Sequence, residues 1–348
     1  MLEAIRPNDN NLKMDQENLD RKIRMLKIQN ELRAKARISE CFHYNKDECK
    51  GKIKKAHSIQ RNGRLSLIEE EVDGNAMLYS FTEFDSIGDQ LTLKPIGKGN
   101  ASTFMGFCDF HDSTLFSPIE NDPYEETEKH WFLHSYRAFA MMQHRKTEQI
   151  KAFESDAEFN VIMGDTILRS LEGTYIGYQE GEVVREKFNE ILKNQNYEAL
   201  DYLVIRYPDF HPIAASASMT PKYSPKSNKK LNYHYEPEIP YEHVFFNLIP
   251  DRAGSILILS CFPDCSKSIL YLDEFEELPE LTQKKVLSSI LIGYVENVFI
   301  SPFIYNKLTD IEKQILIHEL ADTTIYSKVY QTGHFRSKLN LFDRKFVK

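Results

Sequence analysis

Cys41-Phe42-His43-Tyr44-Asn45-Lys46-Asp47-Glu48-Cys49 and Gly106-Phe107-Cys108-Asp109-Phe110-His111-Asp112 each carry a pair of soft metal donors, Cys41-x7-Cys49 and Cys108-x2-His111. Zinc favours four thiolate or imidazole ligands in a tetrahedron, and ligand pairs from two separated loops are how a small segment with little core closes on a metal. Three of the five cysteines fall between positions 41 and 108, beside histidines, so one structural zinc at Cys41, Cys49, Cys108 and His111 is expected. Two alternatives stay open: His43 in place of a first-loop cysteine, or three thiols buried as small hydrophobes with a helix-start histidine.

Working outward, Ala56-His57-Ser58-Ile59-Gln60 follows the first pair, with Lys50, Lys52, Lys54 and Lys55 before it and Arg61 and Arg64 after it. The formal charge of −8 argues against nonspecific nucleic-acid binding by the whole molecule, but residues 1–64 hold 16 Lys/Arg against 9 Asp/Glu, and 65–130 hold 3 against 14. The basic end therefore surrounds His57, where cations neutralise an approaching phosphate. A solvated basic hairpin face is the competing reading.

Composition sets the class. At 348 residues with 41% apolar and 12% aromatic content the chain supports two or three globular units. Five cysteines do not form a secreted disulfide framework, the N-terminus has no apolar export region, and no apolar run reaches the roughly 20 residues a membrane span needs. A cytoplasmic protein without a membrane segment is expected.

The pattern along the chain divides it into four: 1–40, a basic amphipathic helix over 15–38 that packs on the module or on another subunit; 41–120, the zinc-binding module; 121–200, helical; and 201–348, α+β. In 63–106, turns at Asp73-Gly74-Asn75, at 86–89 and at Gly97–Asn100 separate short strands. Helices are predicted over 125–153, 181–196, 281–294 and 309–319, and strands over 202–207, 212–218, 243–249 and 255–261. Short turns between those strands favour a mainly antiparallel sheet. Pro221–Lys230, rich in Pro, Ser and Lys, is expected to be a mobile loop. His130 and His134 sit four apart on a helix, but Trp131 stands where a zincin motif has Glu, so they are expected to be structural; Cys261 and Cys265, with no second pair nearby, are expected to be core or exposed thiols rather than a second zinc site.

The order of first ligand pair, Ala56-His57-Ser58-Ile59-Gln60, a loop with Asn100 and then Cys108-Asp109-Phe110-His111-Asp112 resembles the HNH endonucleases over residues 41–120, about a quarter of the chain. That family has a ββα-metal core, often braced by a treble-clef zinc. The resemblance implies His57 as general base on the attacking water, Asn100 as its orienting residue (Asn75 and Asn62 are less well placed), and Asp112 as ligand of a catalytic Mg²⁺ or Mn²⁺. Ala56 departs from the pattern, since many members have a second metal ligand there, and His111-Asp112 replaces a cysteine followed by histidine.

The chemistry agrees with these roles. Phosphodiester hydrolysis needs a base neutral near pH 7 and a cation for the charge gathering on the phosphate; an imidazole supplies the first and a hard carboxylate holds the second. His57 as a zinc ligand or core histidine, Asp112 as a helix N-terminal residue, and Gly-Lys-Gly-Asn as a plain turn are the competing readings. The expected fold is thus α+β: a small zinc-braced ββα-metal-like module, preceded by a basic helix and followed by a helical segment and a larger, mainly antiparallel domain. The expected function is a metal-dependent endonuclease acting on DNA rather than RNA, with Lys52, Lys54, Lys55, Arg61 and Arg64 on nucleic acid. By analogy it suits a bacterial antiviral defence or toxin effector with a homo-oligomeric or regulatory protein partner. The alternative is a non-catalytic zinc module for nucleic-acid or protein interaction.

Overall fold

The computed structural model describes residues 35–87, 90–121, 124–155, 165–232, 239–324 and 333–348. The basic helix expected over 15–38 lies almost wholly outside them. Among the described residues the chain is mixed α+β, with eight α-helices and a mainly antiparallel sheet.

The sheet is built on period-two alternation. In β8 (Val244–Asp251) and β9 (Gly254–Cys261) nearly every side chain is buried, because both faces are covered. Val244, Phe246, Leu248, Leu257, Leu259 and Cys261 face one core, against α5 (Ser266–Glu276), α6 (Glu280–Gly293) and α8 (Asp310–Thr324). Phe245, Ile249, Ile256 and Ile258 face the other, toward α3 (Glu128–Ser155) and α4 (Asp165–Asn194). Continuous apolar runs are what a strand covered on both faces requires. Antiparallel pairing extends the sheet through β6 (Asp201–Tyr207), β7 (Ile213–Met219) and β10 (Val298–Ile300).

The segment between the two ligand pairs leaves the small module. Its strands β2 (Glu70–Val72), β3 (Asn75–Ile87) and β4 (Gln90–Gly97) join the large sheet, through pairing of Tyr79 and Ser80 with Ile300 and Phe299 of β10. The order is β2-β3-β10-β7-β8-β9-β6, with β4 on β3. Asp73 and Gly74, at φ 51° and 75°, make the left-handed turn that closes the β2–β3 hairpin. What remains of the module is β1 (Ile53–His57) paired with β5 (Thr103–Cys108), followed by α1 (Asp109–Leu115) and the short α2 (Ser117–Glu120).

An aromatic core welds this ββα unit to the rest. Phe188 of α4 lies 5.0–5.6 Å from Phe132, Tyr136 and Phe139 of α3, 4.9 Å from Phe245 and 5.2 Å from Phe262, and the cluster continues through Phe42, Phe107 and Phe116. A second joint is polar: buried Asn297, one residue before β10, donates to Ser58 Oγ at 2.9 Å, Ser102 Oγ at 3.1 Å and the Ser216 carbonyl at 3.1 Å.

Residues 221–230, expected to be mobile from their composition, are instead pinned. Glu274 accepts from the backbone N–H groups of Lys226 and Ser227, both at 2.9 Å, and from Ser227 Oγ, while Tyr223 pairs with Lys230. A buried carboxylate can be satisfied by backbone donors, and composition does not register that. The helix α7 (Pro302–Lys307) begins at Ser301, whose Oγ accepts from Phe303 N–H.

Candidate functional site

The two ligand loops meet by backbone pairing. Glu40 and Phe42 donate to the carbonyls of Met105 and Gly106, which lays the first loop along β5. The first turn of α1 has N–H groups without intrahelical acceptors, and Lys52 and Lys50 carbonyls take those of Asp109 at 3.0 Å and Phe110 at 3.2 Å. Gly51 makes this possible: its φ is +77°, and a Cβ there would stand 2.7 Å from Asp109 Cβ.

Cys41, Cys49, Cys108 and His111 thereby converge, their ligand atoms all within 4.8 Å of one another. His111 Nδ1 lies 3.4 Å from Cys41 Sγ, 3.6 Å from Cys49 Sγ and 3.3 Å from Cys108 Sγ. A tetrahedral zinc with ordinary Zn–S and Zn–N bonds would set that separation at about 3.5 Å. The donor set therefore fits a metal ion such as zinc. Its electrostatics agree: burial and the neighbouring Cys41 and Cys108 sulfurs push the Cys49 thiol up to about 12, a crowding that a cation relieves. Cys108 behaves differently. Burial opposes its ionisation, but the N–H groups of His111 and Lys50 turned toward the sulfur hold the thiol below its usual range. His43 is not among the four; it stacks on His111 with ring centroids 3.9 Å apart and accepts from Asn45 N–H.

His57 stands outside the metal cluster, at the far end of β1 opposite Thr103, whereas Ile53 at the near end is opposite Cys108. Its Nε2 is buried and has no hydrogen-bond partner. Burial first, then the positive charges of Arg137, Arg61 and Lys55, lower its pKa to about 4, so the imidazole is neutral at pH 7. Ser58, next in the chain, is locked by the Ser102 and Asn297 bonds, which fixes the end of the strand.

Asp112, one residue beyond His111, meets a group that the sequence reading missed. Arg137 of α3 is only 1% exposed; its Nη2 lies 3.3 Å from Asp112 Oδ1 and its Nη1 2.6 Å from Glu120 Oε1, with the guanidinium 4.2 Å above the Phe116 ring. Arg137 is also the charge acting most strongly on His57. Four elements, β1, α1, α2 and α3, thus bring His57, Asp112, Glu120 and Arg137 into one neighbourhood. The signal was present in sequence: Arg137 sits one turn from Leu133 and one turn from Met141 on a helix face whose neighbours are apolar, where an arginine requires buried partners.

The remaining expected site residues separate. The described bond of the Asn100 side chain is to Lys55 Nζ, at 2.5 Å, so the expected contact with His57 is replaced by one with a neighbouring lysine. Lys52, Lys55 and Arg61 are exposed; Lys54 is exposed but paired with Asp109. Arg64 leaves the basic surface altogether: it is buried, donates to the Pro250 carbonyl at 3.1 Å and to Asp251 Oδ1 at 2.6 Å, and lies over the Tyr124 ring. Its cationic head serves the join between the insert and β8. His130 and His134 pack on Tyr124. Among the described residues no helix is long and apolar enough to cross a membrane. No family model, curated protein or solved structure matches the chain.

Proposed function

We propose that the chain is a metal-dependent nuclease that hydrolyses phosphodiester bonds, in DNA rather than RNA, at the face where His57 and Asp112 gather around Arg137. The observation that carries this reading is the state of His57: a neutral imidazole with an unpartnered Nε2, at the end of a strand fixed on both sides, among Lys55, Arg61 and Arg137. Such a group takes a proton from water attacking a phosphate, and the exposed Lys52, Lys55 and Arg61 attract the phosphate to it. Zinc at Cys41, Cys49, Cys108 and His111 holds β1 and α1 together. Asp112 meets Arg137 through Oδ1, which leaves Oδ2 for Mg²⁺ or Mn²⁺, and Glu120 takes the place of the second carboxylate that Ala56 cannot supply. The divalent ion would supply stabilisation of the charge on the phosphate and the leaving oxygen. A bacterial defence or toxin setting accords with this reading by analogy only.

A second reading, a non-catalytic zinc module that binds nucleic acid or protein, draws support from Ala56 and from the pairing of Asp112 with Arg137. Plasmid DNA and a structured RNA incubated with the purified chain across Mg²⁺ and Mn²⁺ concentrations separate the two. Nuclease action requires DNA cleavage that EDTA stops and that Asp112→Asn lowers by about a hundredfold or more. Binding of DNA with no cleavage at any metal concentration would replace it with the second reading.

A further inference from the structure

The C-terminal half carries a cleft, remote in sequence from the ββα unit, that none of the residues above uses. It has a volume of about 350 Å³ and lies between α6, which contributes Thr282, Lys285 and Ser289, and the extended segment Arg336–Asn340. That volume is at the lower end of the range typical of small-ligand sites, about 300–1,000 Å³.

The walls are fixed by hydrogen bonds that leave the Lys285 and Lys338 ammonium groups out and use one nitrogen of the Arg336 guanidinium. Ser337 N–H donates to Ser289 Oγ at 3.0 Å, Leu341 N–H to Ser288 Oγ at 2.9 Å, and Arg336 Nη2 to the Pro225 carbonyl at 2.6 Å. Glu319, the carboxylate that meets this segment, is buried and accepts from Ser337 Oγ at 2.5 Å and Lys338 N–H at 2.9 Å, so its acceptors are engaged by the wall itself. Lys285, Arg336 and Lys338 are exposed around the mouth, and among the described residues no carboxylate pairs with Lys285 or Lys338. Asn340 accepts through Oδ1 from Phe342 N–H at 3.2 Å and Ser288 Oγ at 3.4 Å, bonds that do not use its amide N–H₂ donors. Three cations and an amide donor around a preformed cleft of this size select a compact polyanion.

We propose that this cleft binds a small phosphate-bearing metabolite of nucleotide size, held through its phosphates by Lys285, Arg336 and Lys338. Among the described residues the lining contains no aromatic side chain, so recognition there falls on the phosphates rather than on a stacked base. The limited volume favours a free small molecule over a nucleic-acid backbone, which needs an extended basic track.

Calorimetry and thermal melts of the full chain with pyrophosphate, ATP and a single-stranded 12-mer test this. Saturable binding of pyrophosphate or ATP is expected. Lys285→Ala and Lys338→Ala should each weaken it about tenfold, as loss of one charge-assisted contact does, with the unliganded melting temperature unchanged. If the double variant melts early, Lys338→Gln alone serves, because that side chain is exposed. No binding of either phosphate probe, or binding that survives both lysine changes, overturns the proposal. Binding of the 12-mer with the same lysine dependence also overturns it, in favour of a nucleic-acid surface.

Discussion

At the residue scale, His57 and Arg137 carry the argument. The folded environment lowers the His57 pKa to about 4 through burial first and cations second, so the neutral, proton-accepting form persists far below its ordinary range near 6.5. The acid limb of the cleavage rate should therefore lie near pH 4–5 in a pH profile of kcat/KM, and a limb near 6.5 would mean an unshifted base. The stability linkage has the same origin: the unfolded chain binds the proton more readily, so stability due to this group is present above about pH 6.5 and is lost as pH falls toward 4. Arg137 is fully buried between two carboxylates, and removing one partner of a buried pair costs about 3–5 kcal/mol. Arg137→Ala should lower stability by that order in urea titrations while leaving the metal content unchanged.

At the element scale, the two loops, β1, β5 and α1 meet at the Cys41, Cys49, Cys108 and His111 cluster, whose donor set fits a metal ion such as zinc. Cys108→Ser removes a donor and leaves three; metal analysis should fall from one zinc per chain to near none, with a lowered melting temperature. Zinc retained at full stoichiometry would place the metal elsewhere. The Cys41, Cys49, Cys108 and His111 cluster was legible in sequence, because soft donors are scarce enough for their grouping to stand out. The bounds of α3, α6 and β6–β9 were also legible, since apolar period and turn residues act locally. Asn100 was not: a Gly-Lys-Gly-Asn turn reveals its existence but not which neighbour its amide reaches, and the long Lys55 side chain bonds to it although His57, opposite Thr103, stands nearer the turn in the strand register. Arg64 was misplaced because a cation in a basic run reads as exposed, whereas its partner Asp251 lies 187 positions away.

At the scale of the whole molecule, the insert and the C-terminal half share one sheet. Short β10 supplies the join, and three residues of strand give too little periodicity to be read from sequence. The consequence is that the ββα unit is held against a rigid body by the aromatic core around Phe188 and by Asn297. Phe188 is fully buried, and truncating such a side chain costs about 3–5 kcal/mol. Phe188→Ala should therefore lower global stability by that amount in one cooperative transition followed by both fluorescence and circular dichroism. Two separate transitions would show that the units fold independently.

The central claim, that His57 acts as a base beside a structural zinc, is tested most directly by comparing wild type with His57→Ala in DNA cleavage with Mg²⁺ or Mn²⁺, with zinc content measured on the same samples. The account predicts one zinc per chain in both proteins, similar melting temperatures, and cleavage lowered by about a hundredfold or more in the variant. Equal cleavage by the two proteins would contradict it, as would loss of zinc on replacing His57.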